Sequence, residues 1–379
     1  MGNRVRQRIC FAQAFPNTGR YQQWLLAASN QPIRYAVRYN DFYPCRQKLL
    51  GGTVNLAYKI CSRIIRSLRS IPSILWADVV VFCNMNVDMI LYCIARLFRK
   101  KVLLDVYISN YQTLVLSRKT INEKTLRAEL CYRLEQFRFN TADRLIFLTE
   151  EEKKYYVALL DASPKGIDVI PLGNQAKPRA DLPFFRGTTA RPSICWWGGE
   201  NNPIHGLGTI IKGLKLLESK GVDFDFTILG YDPTAGKTYY RDLLNEVGWK
   251  DKVQIHYYAS DYDKFCTFLK KKCDIGFGLI SLEKKAISVV ANKSLDCLHM
   301  GIPLVTIDSA EMRRFWDDSQ VYYCPEPSPE AVCECVEKVL SDSSVIDKVE
   351  RARSVFDQTR SLYILGKQFL SVLDGLSHN

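Results

Sequence analysis

Short apolar runs alternate with helical periods along the whole chain. The runs are rich in β-branched and aromatic residues, and the segments between them place apolar residues at helical spacing. The first half predicts strands at 9–13, 34–38, 78–83, 102–106 and 144–148, with helices notably at 56–69, 87–98 and 123–138. The pattern restarts after Arg191, with strands at 193–197, 224–229, 253–257, 274–278 and 303–307 and helices at 208–217, 240–247, 262–271 and 292–299.

Two consecutive runs of this alternation predict an α/β chain with two Rossmann-type domains. The first domain is predicted at 1–175 and the second at 193–355. The segment 176–192 contains three prolines, one glycine and no helical period, which predicts a linker. A last helix within 356–379 is predicted to pack back onto the first domain.

Composition narrows the class of protein. Of the 379 residues, 47% are apolar and 24% are charged, as in ordinary globular proteins. The most apolar region, 76–98, is broken by two aspartates and two asparagines, so no membrane span is predicted. No apolar segment with a cleavage site follows the basic residues at the N-terminus, so no signal peptide is expected.

The cysteines and histidines argue against disulfides and zinc. The thirteen cysteines are scattered without a Cys-x-x-Cys pair, which indicates free thiols in a reducing compartment. The four histidines lie far apart and lack ligand spacing. The pair Asp223 and Asp225 spells a cation-binding motif, but it starts a strand whose carboxyl end is distant. We therefore predict no metal and no other cofactor.

Positive charge is concentrated near the N-terminus. Residues 1–70 hold twelve Lys and Arg against one acid, a net +11 of the +12 for the chain. Such a patch favours an anionic partner, and because no nucleic-acid motif accompanies it we expect a membrane surface rather than nucleic acid. Within the predicted helix 56–69, the apolar residues on one arc are Leu56, Ile60, Ile64, Ile65 and Leu68, and the cations opposite are Lys59, Arg63, Arg66 and Arg69.

Two interpretations of helix 56–69 remain open at this point. The helix lies on an anionic bilayer, where each cation contributes about 1 kcal/mol near the surface. Alternatively, it is a surface helix whose apolar arc packs into its own domain, because both arrangements need the same amphipathic pattern.

Candidate chemistry is concentrated in 284–306. A predicted loop bearing Lys285 and Ser288 leads into a helix that begins near Asn292. A helix start offers unpaired N–H groups and a positive dipole end, which suit a diphosphate, and Lys293 would add charge. Asp296, one turn further on, is placed to accept hydrogen bonds from ribose hydroxyls. The alternative is an ordinary loop–helix–strand unit with solvated lysines.

A second candidate loop spans 196–206. Its paired glycines, Gly198 and Gly199, allow the backbone to approach a ligand closely. The loop follows the first strand of the second domain, and ligands of open α/β sheets bind at the carboxyl ends of strands. A structural turn is the alternative.

These motifs carry a resemblance to a known family. The second half resembles the nucleotide-sugar domain of retaining GT-B glycosyltransferases, particularly family four of cell-envelope and capsule polysaccharide pathways. The matching segments are 203–206 with 209–211, 226–230, 285–293 and 300–303, and the first half matches more faintly at 105–113, 117–119, 142–146 and 169–173.

The resemblance implies a fold and a reaction. Two Rossmann-type domains would face each other across a cleft, with the donor held mainly by the second. A sugar would pass from a UDP- or GDP-sugar donor to a glycan or lipid-linked acceptor, with retention of configuration, in surface polysaccharide or glycan synthesis. We expect a cytoplasmic enzyme, peripheral on the inner face of a membrane.

The chain departs from the family pattern at several positions. Two glutamates of better-known members are Ser288 and Asp296 here, an arginine is Glu200, a lysine is His205, and a histidine is Tyr107. We therefore predict that Lys285 and Lys293 are the catalytic cations. The predicted donor-binding residues are Gly198, Gly199, His205, Ser288, Asn292 and Asp296, and the predicted acceptor-side residues are Asn17, Gly19, Asp105, Tyr107 and Ser109.

The same departures keep two other function classes open. One is a catalytically degenerate GT-B fold that acts as a binding or scaffold protein. The other is a sugar-nucleotide epimerase of similar fold. Stabilisation by nucleotides would separate an enzyme from a degenerate fold. A free nucleotide product together with a glycosylated acceptor would exclude an epimerase.

Overall fold

The computed structural model describes residues 7–14, 19–32, 34–41, 64–65, 67–83, 87–173, 191–198, 203–230, 237–250, 252–257 and 262–377. The chain forms two compact units. Unit 1 comprises Met1–Pro171 with Leu362–Asn379, and unit 2 comprises Leu172–Ser361. Most of the linker predicted at 176–192 lies outside the described residues.

The elements follow one another in an almost strict strand–helix alternation. In the first half they are β1 (Gln7–Ala14), α1 (Gly19–Ser29), β2 (Tyr35–Asp41), α2 (67–76, preceded by helical residues 64 and 65), β3 (Val79–Cys83), α3 (Met89–Leu97), β4 (Lys101–Asp105), a π-helix (Tyr111–Ser117), α4 (Leu126–Thr141), β5 (Arg144–Phe147), α5 (Glu150–Leu159) and β6 (Ile167–Val169).

The second half repeats the alternation. Its elements are β7 (Ser193–Gly198), a 3₁₀ turn (Pro203–His205), α6 (Leu207–Ser219), β8 (Asp225–Gly230), α7 (Lys237–Glu246), β9 (Gln254–Tyr257), α8 (Tyr262–Lys272), β10 (Ile275–Phe277), α9 (Lys284–Ile287), α10 (Asn292–Met300), β11 (Leu304–Ile307), α11 (Ala310–Arg313), β12 (Tyr322–Cys324), α12 (Pro329–Ser341) and α13 (Val345–Arg360), with α14 (Leu362–Ser377) last.

Each unit contains one parallel sheet of six described strands. The order is β2-β1-β3-β4-β5-β6 in unit 1 and β12-β11-β10-β7-β8-β9 in unit 2, and all pairs given by their registers are parallel. Parallel sheets need helical crossovers that cover both faces, which is why their strands are continuously apolar. The prediction of an α/β chain with two Rossmann-type domains is confirmed.

In unit 1 the two faces of the sheet carry different helices. Alternate strand side chains contact α2 to α5 on one face and α1 with α14 on the other. The indole of Trp24 stacks on the ring of Phe369 at 4.6 Å between centroids, and the hydroxyl of Tyr35 donates to Asp374. The last helix therefore packs against the sheet of unit 1, although it follows unit 2 in the chain.

Helix 56–69 is described only at residues 64–65 and 67–69, which are helical, and 67–69 are the first residues of α2. Ile64, Ile65 and Leu68 are exposed, whereas the face that packs on unit 1 is formed by Ser67 and Ile74 with their neighbours. The described part of the apolar arc therefore does not pack into the domain. Leu56, Lys59, Ile60, Arg63 and Arg66 lie outside the described residues.

Two short strands, β6 and β12, are missing from the sequence prediction. Each has three residues and lies at an edge of its sheet. Three residues are too few to establish a period of two, and an edge position removes the need for a continuous apolar run. Within the described ranges, every helix is too short or too polar to span a bilayer.

Candidate functional site

The candidate site of unit 2 centres on the start of α10. Ala291 precedes the helix in an extended conformation, and its side chain makes no capping hydrogen bond to the first turn. The first turn of α10 therefore receives no side-chain cap from the residue that precedes it. The helix ends at Gly301, whose left-handed conformation lets its N–H bond to the Cys297 carbonyl, as at many helix ends.

Lys293, in the first turn of α10, carries a buried ammonium group. The residue is only 5% exposed, and Nζ has no hydrogen-bond partner among the described residues. Nζ lies 4.0 Å from the centre of the Trp196 ring, so a cation–π contact compensates part of the lost hydration. Burial lowers the pKa of Lys293 well below that of an exposed lysine. An anion beside Nζ would raise this pKa again and strongly stabilise the protonated form of Lys293.

Gly198, at the carboxyl end of β7, lies directly against this ammonium. A Cβ added at Gly198 would be 3.0 Å from Nζ of Lys293 and 3.0 Å from Nδ1 of His205. Any larger residue would therefore occupy the space between β7, the 3₁₀ turn and α10. The hydroxyl of Tyr240 donates to the Gly198 carbonyl at 3.2 Å and holds this end of the strand.

Gly206 allows the turn that brings His205 to the site. It adopts a left-handed conformation with φ of 65° as the N-cap of α6. A Cβ at this position would collide with the backbone carbonyl of Ile280. Only glycine satisfies both conditions without strain. The turn is thus packed tightly against the loop after β10.

The other predicted donor-side residues differ in burial: one is buried, one is exposed, and one lies outside the described residues. Asp296 is buried, and its Oδ2 accepts a hydrogen bond from Nε1 of Trp197 at 3.0 Å. Asn292 is the exposed first residue of α10. Gly199 and Glu200 lie outside the described residues.

The segment bearing Lys285 and Ser288 is not the loop that the sequence predicted. It forms the short helix α9, with Lys285 half-buried in it and Ser288 as its C-cap. The Ser288 hydroxyl donates to the Lys284 carbonyl at 2.6 Å. Its hydroxyl hydrogen is therefore used within the helix itself. Four residues suffice for one helical turn, which the periodicity of the sequence does not reveal.

The predicted acceptor-side residues belong to unit 1. Asp105, at the carboxyl end of β4, is buried and accepts a hydrogen bond from Nε1 of Trp24 at 2.9 Å. Tyr107 is half-buried in the segment that follows. Gly19 is the first residue of α1, and Asn17 lies outside the described residues.

Ser109 belongs to a network that the sequence did not reveal. Its hydroxyl donates to Oε2 of the buried Glu135 at 2.9 Å, and Glu135 also accepts from the backbone N–H groups of Asn110 and Tyr111, each at 3.0 Å. A carboxylate with three donors fixes the start of the π-helix after β4. The spacing of Glu135 and Arg138, one turn apart on α4, was the available signal.

The pair Asp223 and Asp225 contacts a cation of the protein itself. Arg191 lies 3.6 Å from Asp223 and 3.0 Å from Asp225, measured between side-chain nitrogen and oxygen atoms. This ion pair lies at the amino end of β8, whereas the candidate site lies at the carboxyl ends of the strands. Among the described residues, no group of three His, Cys, Asp or Glu side chains is arranged to hold a metal ion.

Comparison of the sequence with protein-family models and with curated proteins gives no match. Solved structures do match over almost the whole chain. Sucrose-phosphate synthase of Thermosynechococcus elongatus has a TM-score of 0.69 at 11% identity, covering 98% of this chain and 100% of its own. HepE of Anabaena in complex with UDP-glucose has a TM-score of 0.67 at 11% identity, covering 97% and 99%.

A third structure, the E. coli trehalose-6-phosphate protein bound with UDP-2-fluoro glucose, has a TM-score of 0.66 at 12% identity, covering 97% of this chain and 99% of its own. At such identities the likeness concerns the fold, and site residues do not transfer from it. Membership of family four remains a prediction. The full-length coverage confirms the GT-B part of the resemblance inferred from the sequence, and this chain has the two-domain GT-B fold.

Proposed function

We propose that this protein is a glycosyltransferase that transfers a sugar from a UDP- or GDP-sugar to a glycan or lipid-linked acceptor. The observation that carries the proposal is the buried Lys293 ammonium at the uncapped start of α10, without a hydrogen-bond partner among the described residues. A diphosphate satisfies both the ammonium and the helix N–H groups. The GT-B fold and the UDP-sugars in two structural neighbours support this choice of ligand.

The proposed chemistry is charge stabilisation of a leaving diphosphate. The bond between the anomeric carbon and the donor phosphate oxygen breaks, and a new bond forms to the oxygen of an acceptor hydroxyl, whose proton passes to the leaving diphosphate. The configuration is retained, as the sequence resemblance implies. Lys293, Lys285 and the first N–H groups of α10 neutralise the charge that develops on the diphosphate. Such preorganised groups act most strongly in a site from which water is excluded.

The remaining predicted residues take supporting roles in this proposal. Gly198 and Gly199 allow the backbone to approach the donor, His205 and Ser288 line it, and Asn292 and Asp296 contact its polar groups. Asn17, Gly19, Asp105, Tyr107 and Ser109 contribute to acceptor binding in unit 1. No metal or other cofactor is proposed.

The cellular setting proposed is the inner face of a membrane, in surface polysaccharide or glycan synthesis. The net +11 charge of residues 1–70 supports attraction to an anionic bilayer. The exposure of Ile64, Ile65 and Leu68 favours a bilayer role for helix 56–69 over packing within the domain.

Nucleotide-sugars are expected to raise the melting temperature of the full chain. A ligand that binds only the folded state stabilises it by about 2.7 kcal/mol at 100 times its Kd. A thermal-shift screen should compare UDP- and GDP-sugars with the same sugars lacking a nucleotide. No shift with any nucleotide-sugar would contradict the donor assignment. A shift without a glycosylated product would favour the scaffold alternative, and an isomerised nucleotide-sugar would favour an epimerase.

Donor binding is expected to be coupled to proton uptake. Burial lowers the pKa of Lys293 in the free protein, and a bound diphosphate raises it again. Between these two pKa values binding takes up a proton, so affinity falls as pH rises through that interval. Calorimetry of UDP binding at about pH 8, where the nucleotide phosphates are fully ionised, should be repeated in buffers of different protonation enthalpy.

The control for this experiment is Lys293→Met. The variant should bind UDP more weakly and take up fewer protons than the wild-type protein. Equal proton uptake by both proteins would show that another group titrates on binding, and Lys293 would lose its proposed place at the diphosphate.

A further inference from the structure

Three neighbouring helices of unit 1 expose large apolar side chains. Leu97 is 76% exposed and Leu126 is 90% exposed, which is unusual for leucines in regular helices. Ten of the sixteen exposed large apolar residues in the described part of the chain belong to these helices, to the two helical residues that precede α2, or to the C-cap of α3. They are Ile64, Ile65, Leu68 and Leu75 with α2, Ile90, Leu97 and Phe98 with α3, and Leu126, Leu130 and Phe137 on α4.

The spacing of these residues forms a stripe on each helix. On α4, Leu126, Leu130 and Phe137 recur at helical intervals of four and seven, so they share one side of the helix. Ile90 and Leu97 are likewise seven apart on α3. Each stripe lies opposite the side of its helix that packs on the sheet. On that side Leu91 and Tyr92 of α3 and Phe139 of α4 are buried.

The helices lie side by side, which joins the stripes into one surface. The Ser67 hydroxyl of α2 donates to Asp88, the N-cap residue of α3, at 2.6 Å. The Tyr92 hydroxyl of α3 donates to the Arg138 carbonyl of α4 at 3.0 Å. All three helices cover the same face of the first sheet. We call their outward side the α2–α4 face.

Other surfaces differ from this one. Helix α5 covers the same side of the sheet but exposes no large apolar residue. In the described part of unit 2 the exposed large apolar residues are Leu216, Leu282 and Ile346, which lie on separate segments. Isolated exposed residues of that kind are ordinary, whereas a contiguous patch indicates an interaction site.

Exposed cations accompany the stripes. Arg69 follows Leu68, Arg99 follows Phe98, and Arg127 follows Leu126, and all three are exposed. Arg133 lies within the α4 stripe and pairs with Glu129 at 2.7 Å. Apolar side chains bordered by arginines match an anionic lipid surface, in which the side chains enter the interface and the guanidinium groups contact phosphates.

We propose that the α2–α4 face is the surface by which this protein docks on an anionic bilayer. The proposal extends the membrane location proposed above from helix 56–69 to α3 and α4, which lie outside the basic N-terminal segment. The abundance of arginine favours a lipid partner over an apolar protein surface, which would bury those charges at a cost. Docking is therefore expected to need both apolar insertion and negative lipid charge.

The test compares vesicle binding by the full chain and by Leu97→Gln/Leu126→Gln, measured by flotation. Vesicles of phosphatidylcholine alone should be compared with vesicles containing about a third phosphatidylglycerol, because the cations need anionic lipid. Glutamine preserves charge and helix propensity while removing apolar insertion. The double variant should bind the anionic vesicles at least about tenfold more weakly, given the transfer free energy of two leucines.

The matched control is Leu216→Gln/Ile346→Gln on exposed helices of unit 2, which should bind vesicles as the wild-type protein does. Equal binding by Leu97→Gln/Leu126→Gln and the wild-type protein, or no vesicle binding by the latter, overturns the proposal. So does a self-association that the double variant abolishes while vesicle binding is absent, because the face would then join two copies. This result is read by sedimentation velocity.

A nucleotide-sugar thermal shift, measured on the same proteins, separates this proposal from the enzymatic one. An unchanged shift together with lost vesicle binding supports the α2–α4 face. Vesicle binding without any nucleotide-sugar shift would leave the docking face standing and remove the donor assignment.

Discussion

Replacing Lys293 by methionine should lower the turnover number for glycosyl transfer by at least about 100-fold, as for the loss of one preorganised charge-stabilising donor. Methionine retains most of the aliphatic stem that packs near Trp196 and removes the ammonium that lies 4.0 Å from its ring centre. Because that ammonium is buried without a hydrogen-bond partner among the described residues, its removal should leave the unliganded protein as stable or more stable.

The measurement is a radiolabelled-sugar transfer assay paired with thermal unfolding of the unliganded protein. Lys284→Met provides the control, because Lys284 is an exposed residue at the start of α9 and should tolerate the change. Lys285→Ala should also lower turnover. Full turnover by both the Lys293 and the Lys285 variants would refute the assignment of the diphosphate site. A Lys293 variant that merely unfolds would instead indicate a structural role.

Replacing Arg360 by methionine should lower the free energy of unfolding of unit 2 by about 3 kcal/mol, as when one partner of a buried ion pair is removed. The Arg360 side chain is 1% exposed, and its guanidinium carbon lies 4.3 Å from the centre of the Phe315 ring. Nη1 donates to the Leu172 carbonyl at 3.3 Å, and Nη2 lies 4.0 Å from Oε1 of the buried Glu311. The substitution therefore removes a donor to a backbone carbonyl and takes a buried positive charge away from Glu311, which also pairs with Arg314 at 3.3 Å.

Urea unfolding monitored by tryptophan fluorescence gives the midpoint and slope for this comparison. Arg351→Met is the matched control, since Arg351 lies on the same helix but is exposed, and it donates to the Ser319 carbonyl. Its effect should stay within about 0.5 kcal/mol, as for ordinary surface substitutions. Equal midpoints for the Arg360 and Arg351 variants would mean that the buried network contributes no stability.

Strands buried on both faces were predictable because their sequences are continuously apolar. The five residues of β3 are all buried, and its prediction at 78–83 differs from the observed strand by one residue. The edge strands β6 and β12 lacked that signal. Helix starts were less well defined, since α4 begins at Leu126 after the capping residue Thr125 rather than at 123. The side chain of a threonine accepts from the helix backbone, and this local bond fixes the boundary.

The candidate site was predictable in its chemistry but not in its environment. The sequence placed Lys293 at the start of a helix, as observed, and predicted that it adds positive charge there. The structure instead buries it against Trp196, a residue 97 positions away whose ring orientation no local pattern specifies. Ser288 was expected in a loop and is the C-cap of α9. Glu135 was not singled out, because its three donors come from a segment about 25 residues earlier.

The sequence by itself determined the alternation of strands and helices, the concentration of positive charge, and the residue types available for an anionic ligand. These follow from local rules, since side-chain periodicity and helix ends depend on residues a few positions apart. Only the tertiary structure decided which lysine is buried, which side of α2 contacts the sheet, and that three helical stripes share one surface. Those properties depend on contacts between distant segments, because burial sets both the pKa of an ammonium and the exposure of a leucine.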